Sequence, residues 1–308
     1  MLAILLKTLP FFAVLGLGYG AARRGFFSET ATAHLTRFVF YFALSAMIFR
    51  FAATLPVATI FHAPSVLAYL CGTLAVYVLA TTVALIRGTG VEVAAVEAQC
   101  AAIGNVGFLG IPMLVLLMGP AAAGPVMIVL ATDLVVFGSL IVVIVSASRD
   151  GRMNLAVLGP VLHGLIRNPM VMSILAGLTW SALELPLPDP AMEFLTLLGA
   201  AATPGALFAI GASLATKSAD RPVIAIWLST AKLGLHPALV ALCALWVFDV
   251  PPFTAAVMIA AAAMPTAGNV YILAQHYGIA PVRVSSTILI STLISIATLT
   301  YVISLVSA

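Results

Sequence analysis

The chain has 308 residues, 63% of them hydrophobic and 7% charged, with a formal net charge of +3. Soluble domains carry about 25% charged residues, so this composition excludes a water-coated globule of this size. Lys and Arg stand singly between apolar runs, which excludes a nucleic-acid-binding surface.

The apolar residues come in runs of about 20, the length a helix needs to cross a ~30 Å hydrocarbon core. The runs are continuous and do not alternate, so they predict helices and exclude a barrel. Ten spans are predicted, at 2–22, 36–54, 64–86, 93–118, 122–146, 168–184, 191–215, 222–247, 253–278 and 284–305. The first is read as a retained helix, because Arg23 and Arg24 follow it and only Lys7 precedes its end. Cys71, Cys100 and Cys243 lie inside apolar runs without CxxC or Cys/His spacing and read as small buried hydrophobes. Residues 1–308 form one membrane domain, in which a polar connection at 148–167 joins two halves, 1–147 and 168–308.

Positive charge orients the spans. Arg23, Arg24, Arg37, Arg87, Arg149, Arg152, Arg167, Lys217, Arg221 and Arg283 flank the odd-numbered connections, and the even-numbered ones contain no Lys or Arg. Basic residues mark cytoplasmic loops, so both termini are expected on the non-cytoplasmic side. Five spans per half then give the second half the opposite orientation, an inverted repeat. Weak internal matches agree. Pro10, Gly18 and Phe49 recur as Pro169, Gly177 and Phe208 at an offset of 159. Gly104, Asn105 and Val106 recur as Gly268, Asn269 and Val270 at an offset of 164.

Two spans carry helix-breaking residues near their middles. The fourth reads Gly104-Asn105-Val-Gly-Phe-Leu-Gly-Ile-Pro112, and the ninth Met264-Pro265-Thr266-Ala-Gly268-Asn269-Val-Tyr271. Glycine and proline loosen the helical ladder, and the freed backbone groups must be buried in protein or line a wet cavity. Broken helices at corresponding positions of two halves point to a transporter's binding site. Gly104, Asn105, Pro112, Pro265, Thr266, Gly268, Asn269 and Tyr271 are therefore the candidate substrate-binding residues. An asparagine at each break suits a carboxylate or amide, and helix N-termini there favour anions. Taken singly, each stretch could equally serve helix packing.

Asp133 in the fifth span and Lys232 in the eighth are charges at membrane depth. Each costs about 2.5–3.5 kcal/mol to insert. They are candidates for coupling a proton or balancing substrate charge, or else for a permanent structural ion pair. His236-Pro237 marks a kink, with proton transfer as the alternative role. No GxSxG, HExxH, Walker or dinucleotide-loop sequence is present. Hence no enzyme, nucleotide-driven pump, cofactor or metal site is expected.

The stretch Gly104–Pro112 resembles the fourth-helix signature of the auxin efflux carrier family. Leu198-Gly-Ala-Ala-Ala-Thr-Pro204-Gly-Ala-Leu-Phe-Ala-Ile-Gly-Ala-Ser-Leu214 is similar to its seventh helix, and Pro265–Gly278 to its ninth. The resemblance covers nearly the whole chain. It implies an all-α membrane fold shared with bile-acid symporters, with helices 1, 2, 6 and 7 as scaffold and helices 3–5 and 8–10 as a moving transport unit. It implies substrate beside Asn105 and Asn269, an elevator-like alternation, and small organic acids such as malonate or malate in bacterial relatives. Pro204 is retained as a scaffold hinge, whereas Ser45 stands where relatives often have proline. The expected protein is thus a secondary carrier of a small organic anion in the bacterial inner membrane, proton-coupled and homodimeric. Sodium-coupled symport is the second carrier reading, and a channel or membrane sensor the reading from another class.

Overall fold

The computed structural model describes residues 2–55, 62–150, 158–215 and 222–306. Within them the secondary structure is helical apart from turns and one isolated antiparallel bridge. The helices are α1 (Leu2–Arg23), α2 (Glu29–Thr54), α3 (Ala63–Ile86), α4 (Val91–Ala102), α5 (Val106–Met118) and α6 (Pro120–Arg149). They continue as α7 (Leu158–Arg167), α8 (Pro169–Ala182), α9 (Asp189–Leu214), α10 (Pro222–Val247), α11 (Pro252–Ala262), α12 (Gly268–Tyr277) and α13 (Pro281–Val306). In hydrocarbon a helix satisfies its own backbone donors and acceptors, and these apolar runs have no other option.

Among the described residues, six helices are long and apolar enough to cross a membrane, α2, α3, α6, α9, α10 and α13; a seventh span results if α7 and α8 count as one. The chain is therefore an all-helical, multi-pass membrane protein. The fourth and ninth predicted spans are each split, into α4 with α5 and α11 with α12, whose pieces are too short to cross alone. The connection predicted at 148–167 is more ordered than a polar loop. Its described part holds α7, whose Leu158, Leu162 and Ile166 recur every fourth residue on an exposed face. The chain bends by 73° between α7 and α8. Asn168 makes that corner: its side chain caps α8 by accepting from Met170 N–H at 3.0 Å, and Pro169 occupies the first helical position.

The chain folds as two compact units. The first comprises Met1–His62, Gly107–Ile128 and Ile166–Lys217. Its helices approach through glycine. A Cβ on Gly18 of α1 would lie 2.2 Å from the Phe208 carbonyl oxygen of α9, and one on Gly211 would lie 1.8 Å from the Leu15 carbonyl oxygen. A Cβ on Gly177 of α8 would lie 2.8 Å from the Phe49 carbonyl oxygen of α2. Backbone-to-backbone packing at this distance admits no side chain, as at small-residue membrane interfaces. Phe108 stacks on Phe40 with ring centroids 6.1 Å apart, which joins α5 to α2. The resemblance implied that all of helices 3–5 belong with the transport unit. Instead, Gly107–Ile128 packs with α1, α2, α8 and α9.

The second unit comprises Ala63–Val106, Val129–Leu165 and Ser218–Ala308. Here α3 lies against α4 and α10, with Gly72 so close to α10 that a Cβ would fall 2.8 Å from Val240 Cα. Among the wider π turns that interrupt its helices are Asp133–Phe137 in α6 and Ala231–Leu235 in α10. Such turns cluster at functional positions, and these two carry the charges at membrane depth. Cys100 is buried as expected, but Cys71 is exposed and Cys243 half-buried. An exposed face on a lipid-facing helix is apolar for the same reason a core is, so sequence alone could not separate the two.

Candidate functional site

The second unit contains both helix breaks. α4 stops at Ala102, where Ile103 turns to extended backbone at φ −90° and ψ 116°. α11 stops at Ala262, and Pro265 prevents it from resuming, because proline supplies no donor and obstructs the carbonyl four residues back. The two interruptions meet in the antiparallel bridge between Gly104 and Thr266. Asn105 N–H donates to the Pro265 carbonyl at 2.7 Å, and Ala267 N–H to the Ile103 carbonyl at 3.1 Å. Thr266 fastens the junction twice: its hydroxyl donates to the Cys100 carbonyl at 2.8 Å, and its N–H to Ser291 Oγ of α13 at 3.2 Å. Several of the freed backbone groups are thus paired inside the protein, as the membrane interior favours.

Polar capacity remains at this junction. Asn105 is buried, 7% exposed. Asn269 sits in the first turn of α12, half-buried, and its Oδ1 has no hydrogen-bond partner among the described residues. No side chain caps the α12 N-terminus, so its leading N–H groups and dipole face outward from the helix end. A Cβ on Gly104 would meet Lys232 Nζ at 3.3 Å and the Ala261 carbonyl oxygen at 3.4 Å. The lysine ammonium thus packs directly against Gly104, where a side chain would crowd it.

Lys232 is fully buried. Its Nζ donates to the Ala262 carbonyl at the end of α11 and lies 2.9 Å from His236 Nδ1. A cation at a helix C-terminus is favourably placed. His236 Nε2 lies 2.9 Å from Thr73 Oγ1 of α3. One turn earlier on α3, the Tyr69 hydroxyl donates to Asp133 Oδ1 at 2.8 Å and also interacts with the Thr73 hydroxyl. Asp133 is 4% exposed, and its Oδ2 has no hydrogen-bond partner among the described residues. Asp133 and Lys232 feel each other's charge. They form no direct ion pair; Tyr69 and His236 hold their hydrogen bonds instead.

Ion pairs do form at one end of this unit. Glu97 of α4, 1% exposed, takes Arg87 from the end of α3 on one carboxylate oxygen and Arg283 from the start of α13 on the other. Arg149 of α6 pairs with Glu92 at 3.2 Å and donates to the Tyr277 carbonyl at 2.6 Å. Gln99 Nε2 donates to the Phe137 carbonyl at 2.6 Å, which ties α4 to the π turn that begins at Asp133.

Residues 3–303 match the protein family described as "Membrane transport protein". The chain belongs to that family. It is the family to which the sequence motifs pointed, that of the auxin efflux carriers. A Rhizobium meliloti (strain 1021) protein described as "Putative malonate transporter" is 31% identical to this transporter over 301 residues. The match covers 97% of this chain and 94% of that relative. The transporter is therefore a membrane transport protein and not an enzyme.

Of the residues the sequence singled out in this transporter, Gly104, Asn105, Pro265, Thr266, Gly268 and Asn269 gather at the bridge. Tyr271 lies one turn into α12, where its hydroxyl accepts from Gln275 Nε2 at 3.0 Å. Pro112 is buried in the part of α5 that belongs to the first unit. Pro204 is exposed in α9, three residues after the interruption at Ala201. Ser45 lies within continuous α2, where its hydroxyl donates to the Phe40 carbonyl at 3.1 Å beside a π turn. Lys217, Arg221 and Arg152, used to orient the chain, lie outside the described residues, as does the Lys7 side chain. No pattern in the sequence marked Tyr69, Thr73 or Ser291, because a hydroxyl in an apolar helix can equally bond its own backbone. His236 had a readable signal: it stands four residues after Lys232, one turn along the same face.

Proposed function

We propose that this transporter is a secondary carrier that moves a small organic acid anion, such as malonate, across the bacterial inner membrane by alternating access. The observation that carries this reading is the junction in the second unit. An uncapped helix N-terminus, two asparagines and a buried ammonium all adjoin the same Gly104–Thr266 bridge. Free N–H groups, an aligned dipole and a cation form a receptor for a carboxylate. The relative's name supports a dicarboxylate of malonate's size.

Ten transmembrane segments in two inverted halves account for the packing symmetry. At the offset of 159, Gly18 becomes Gly177 and Phe49 becomes Phe208. The contact of Gly18 with Phe208 therefore corresponds to that of Gly177 with Phe49, and both exist. Thr73 and His236, 163 residues apart, touch across α3 and α10, as residues near a pseudo-two-fold axis would. Both termini are on the non-cytoplasmic side in this reading, since the arginine-bearing ends of α3, α6 and α13 collect at one end of their unit. The unit that holds the junction travels as a body in an elevator-like step, with Pro204 and Ser45 as hinge positions of a homodimeric scaffold.

Ligand-dependent stability tests the site. Malonate should raise the apparent melting temperature of the detergent-purified protein, and Asn105→Ala and Asn269→Ala should remove that rise. Undiminished stabilisation of both variants would put the site elsewhere. Saturable exchange separates the carrier from a channel, and replacing sodium by choline separates it from a sodium symporter.

A further inference from the structure

The buried groups of the second unit form one polarised chain. Lys232 Nζ faces His236 Nδ1 at 2.9 Å, and His236 Nε2 faces Thr73 Oγ1 at 2.9 Å. The Thr73 hydroxyl interacts with that of Tyr69, and Tyr69 donates to Asp133 Oδ1 at 2.8 Å. An ammonium can only donate, and a carboxylate can only accept. With its two ends fixed in that way, every proton between them points from Lys232 toward Asp133. All five residues are at least nine-tenths buried. One end adjoins the proposed anion site at Gly104, and the other is a carboxylate oxygen, Asp133 Oδ2, that no described residue satisfies. A buried carboxylate oxygen without a partner is costly unless something binds there.

We propose that Asp133, Tyr69, Thr73, His236 and Lys232 form a proton path that couples one proton to each organic anion carried at the junction; this rests on the carrier reading above. The physical reason is charge balance. With the site empty, Lys232 and Asp133 offset one another. A carboxylate bound beside Lys232 takes over that compensation and leaves Asp133 as an unbalanced buried anion. Asp133 then accepts a proton at its free oxygen, so the loaded unit carries one negative charge fewer than the substrate brings. Along the chain the transfer balances without breaking any other bond. Tyr69 gives its proton to Asp133 and takes one from Thr73; Thr73 takes one from His236 Nε2. His236 takes one at Nδ1 from Lys232, so the imidazole changes tautomer and the lysine becomes neutral. This transfer takes place in the emptied unit: once the substrate and the Oδ2 proton have left, Asp133 is again an acceptor, and the transfer neutralises the pair for the return step, which counterflow skips. The groups facing the path are those already named: Tyr69 and Lys232 face Asp133, and the Tyr69 ring packs on His236 with centroids 5.8 Å apart.

The test uses the purified full chain in proteoliposomes with labelled malonate. Two readouts are taken together: uptake driven by an inward proton gradient with internal acidification, and counterflow at equal pH. The wild type should show both. Asp133→Asn and Thr73→Val should lose about tenfold or more of gradient-driven uptake and of acidification, the scale at which a positioned proton-transfer group acts. Counterflow, which needs no net proton, should persist in Thr73→Val. Should Asp133→Asn fail to fold, Tyr69→Phe carries the same expectation while leaving the carboxylate in place. Wild-type acidification in Thr73→Val and Tyr69→Phe overturns the path while the carrier reading stands. Uptake that follows sodium and ignores the proton gradient also overturns it. Absence of counterflow for mono- and dicarboxylates in the wild type overturns the carrier reading and the path together.

Discussion

Glu97 shows what a single side chain does in this setting. Its carboxylate is buried between two guanidinium groups, so replacing it leaves two cations facing each other with no counter-charge. Breaking a buried pair in this way costs about 3–5 kcal/mol; the 30% exposure of Arg87 moves the expected loss toward the lower end. Glu97→Gln should therefore lower the melting temperature of the detergent-purified protein more than Glu92→Gln, whose arginine partner is nearly half exposed. Gly104 makes a second residue-scale prediction. Gly104→Val would drive atoms into Lys232 Nζ and the Ala261 carbonyl. Transport should fall at least about tenfold while membrane insertion is kept, since overpacking typically costs about 1–3 kcal/mol. Uptake and surface abundance measured together would check it. At this scale the sequence was readable where a charge interrupts an apolar run, as at Asp133 and Lys232. It was silent at Tyr69 and Thr73, whose hydroxyls acquire meaning only from the helices opposite them.

Among the elements, the close glycine contacts of the first unit set how near its helices can come. Gly211→Ala places a methyl 1.8 Å from the Leu15 carbonyl oxygen, whereas Gly16→Ala meets nothing within 4 Å. The first should cost about 1–3 kcal/mol through forced separation of α1 and α9. The second should be neutral or slightly stabilising, since alanine is the better helix former. Thermal unfolding of the two variants side by side distinguishes packing from propensity. The breaks in α4/α5 and α11/α12 were legible because glycine and proline act locally. Their antiparallel pairing through Asn105 and Ala267 was not, because a hydrogen bond between residues so far apart in the chain leaves no periodic trace. Nor was the turn at Asn168 read as the start of a cap; a polar residue before proline looks the same in any loop.

At the level of the whole molecule, composition alone fixed the solvent, because 7% charged residues cannot coat a chain of 308. Charge placement predicts its orientation. A reporter active only outside the cytoplasm should work when fused at the C-terminus, and a cytoplasm-only reporter there should not; the opposite pattern would reverse the proposed topology. The partition into units was only partly readable. Hydropathy marks where a helix lies in the bilayer but carries no signal for which neighbours it keeps, and Gly107–Ile128 follows its aromatic and apolar contacts instead. What gives the molecule its proposed activity is the meeting of two broken helices around Asn105, Asn269 and Lys232. The most direct measurement is counterflow of labelled malonate in proteoliposomes containing the wild type, Asn105→Ala or Asn269→Ala. Saturable exchange by the wild type, reduced about tenfold or more in both variants as expected for lost binding of a buried polar group, is the predicted result. Equal exchange by all three proteins would contradict it.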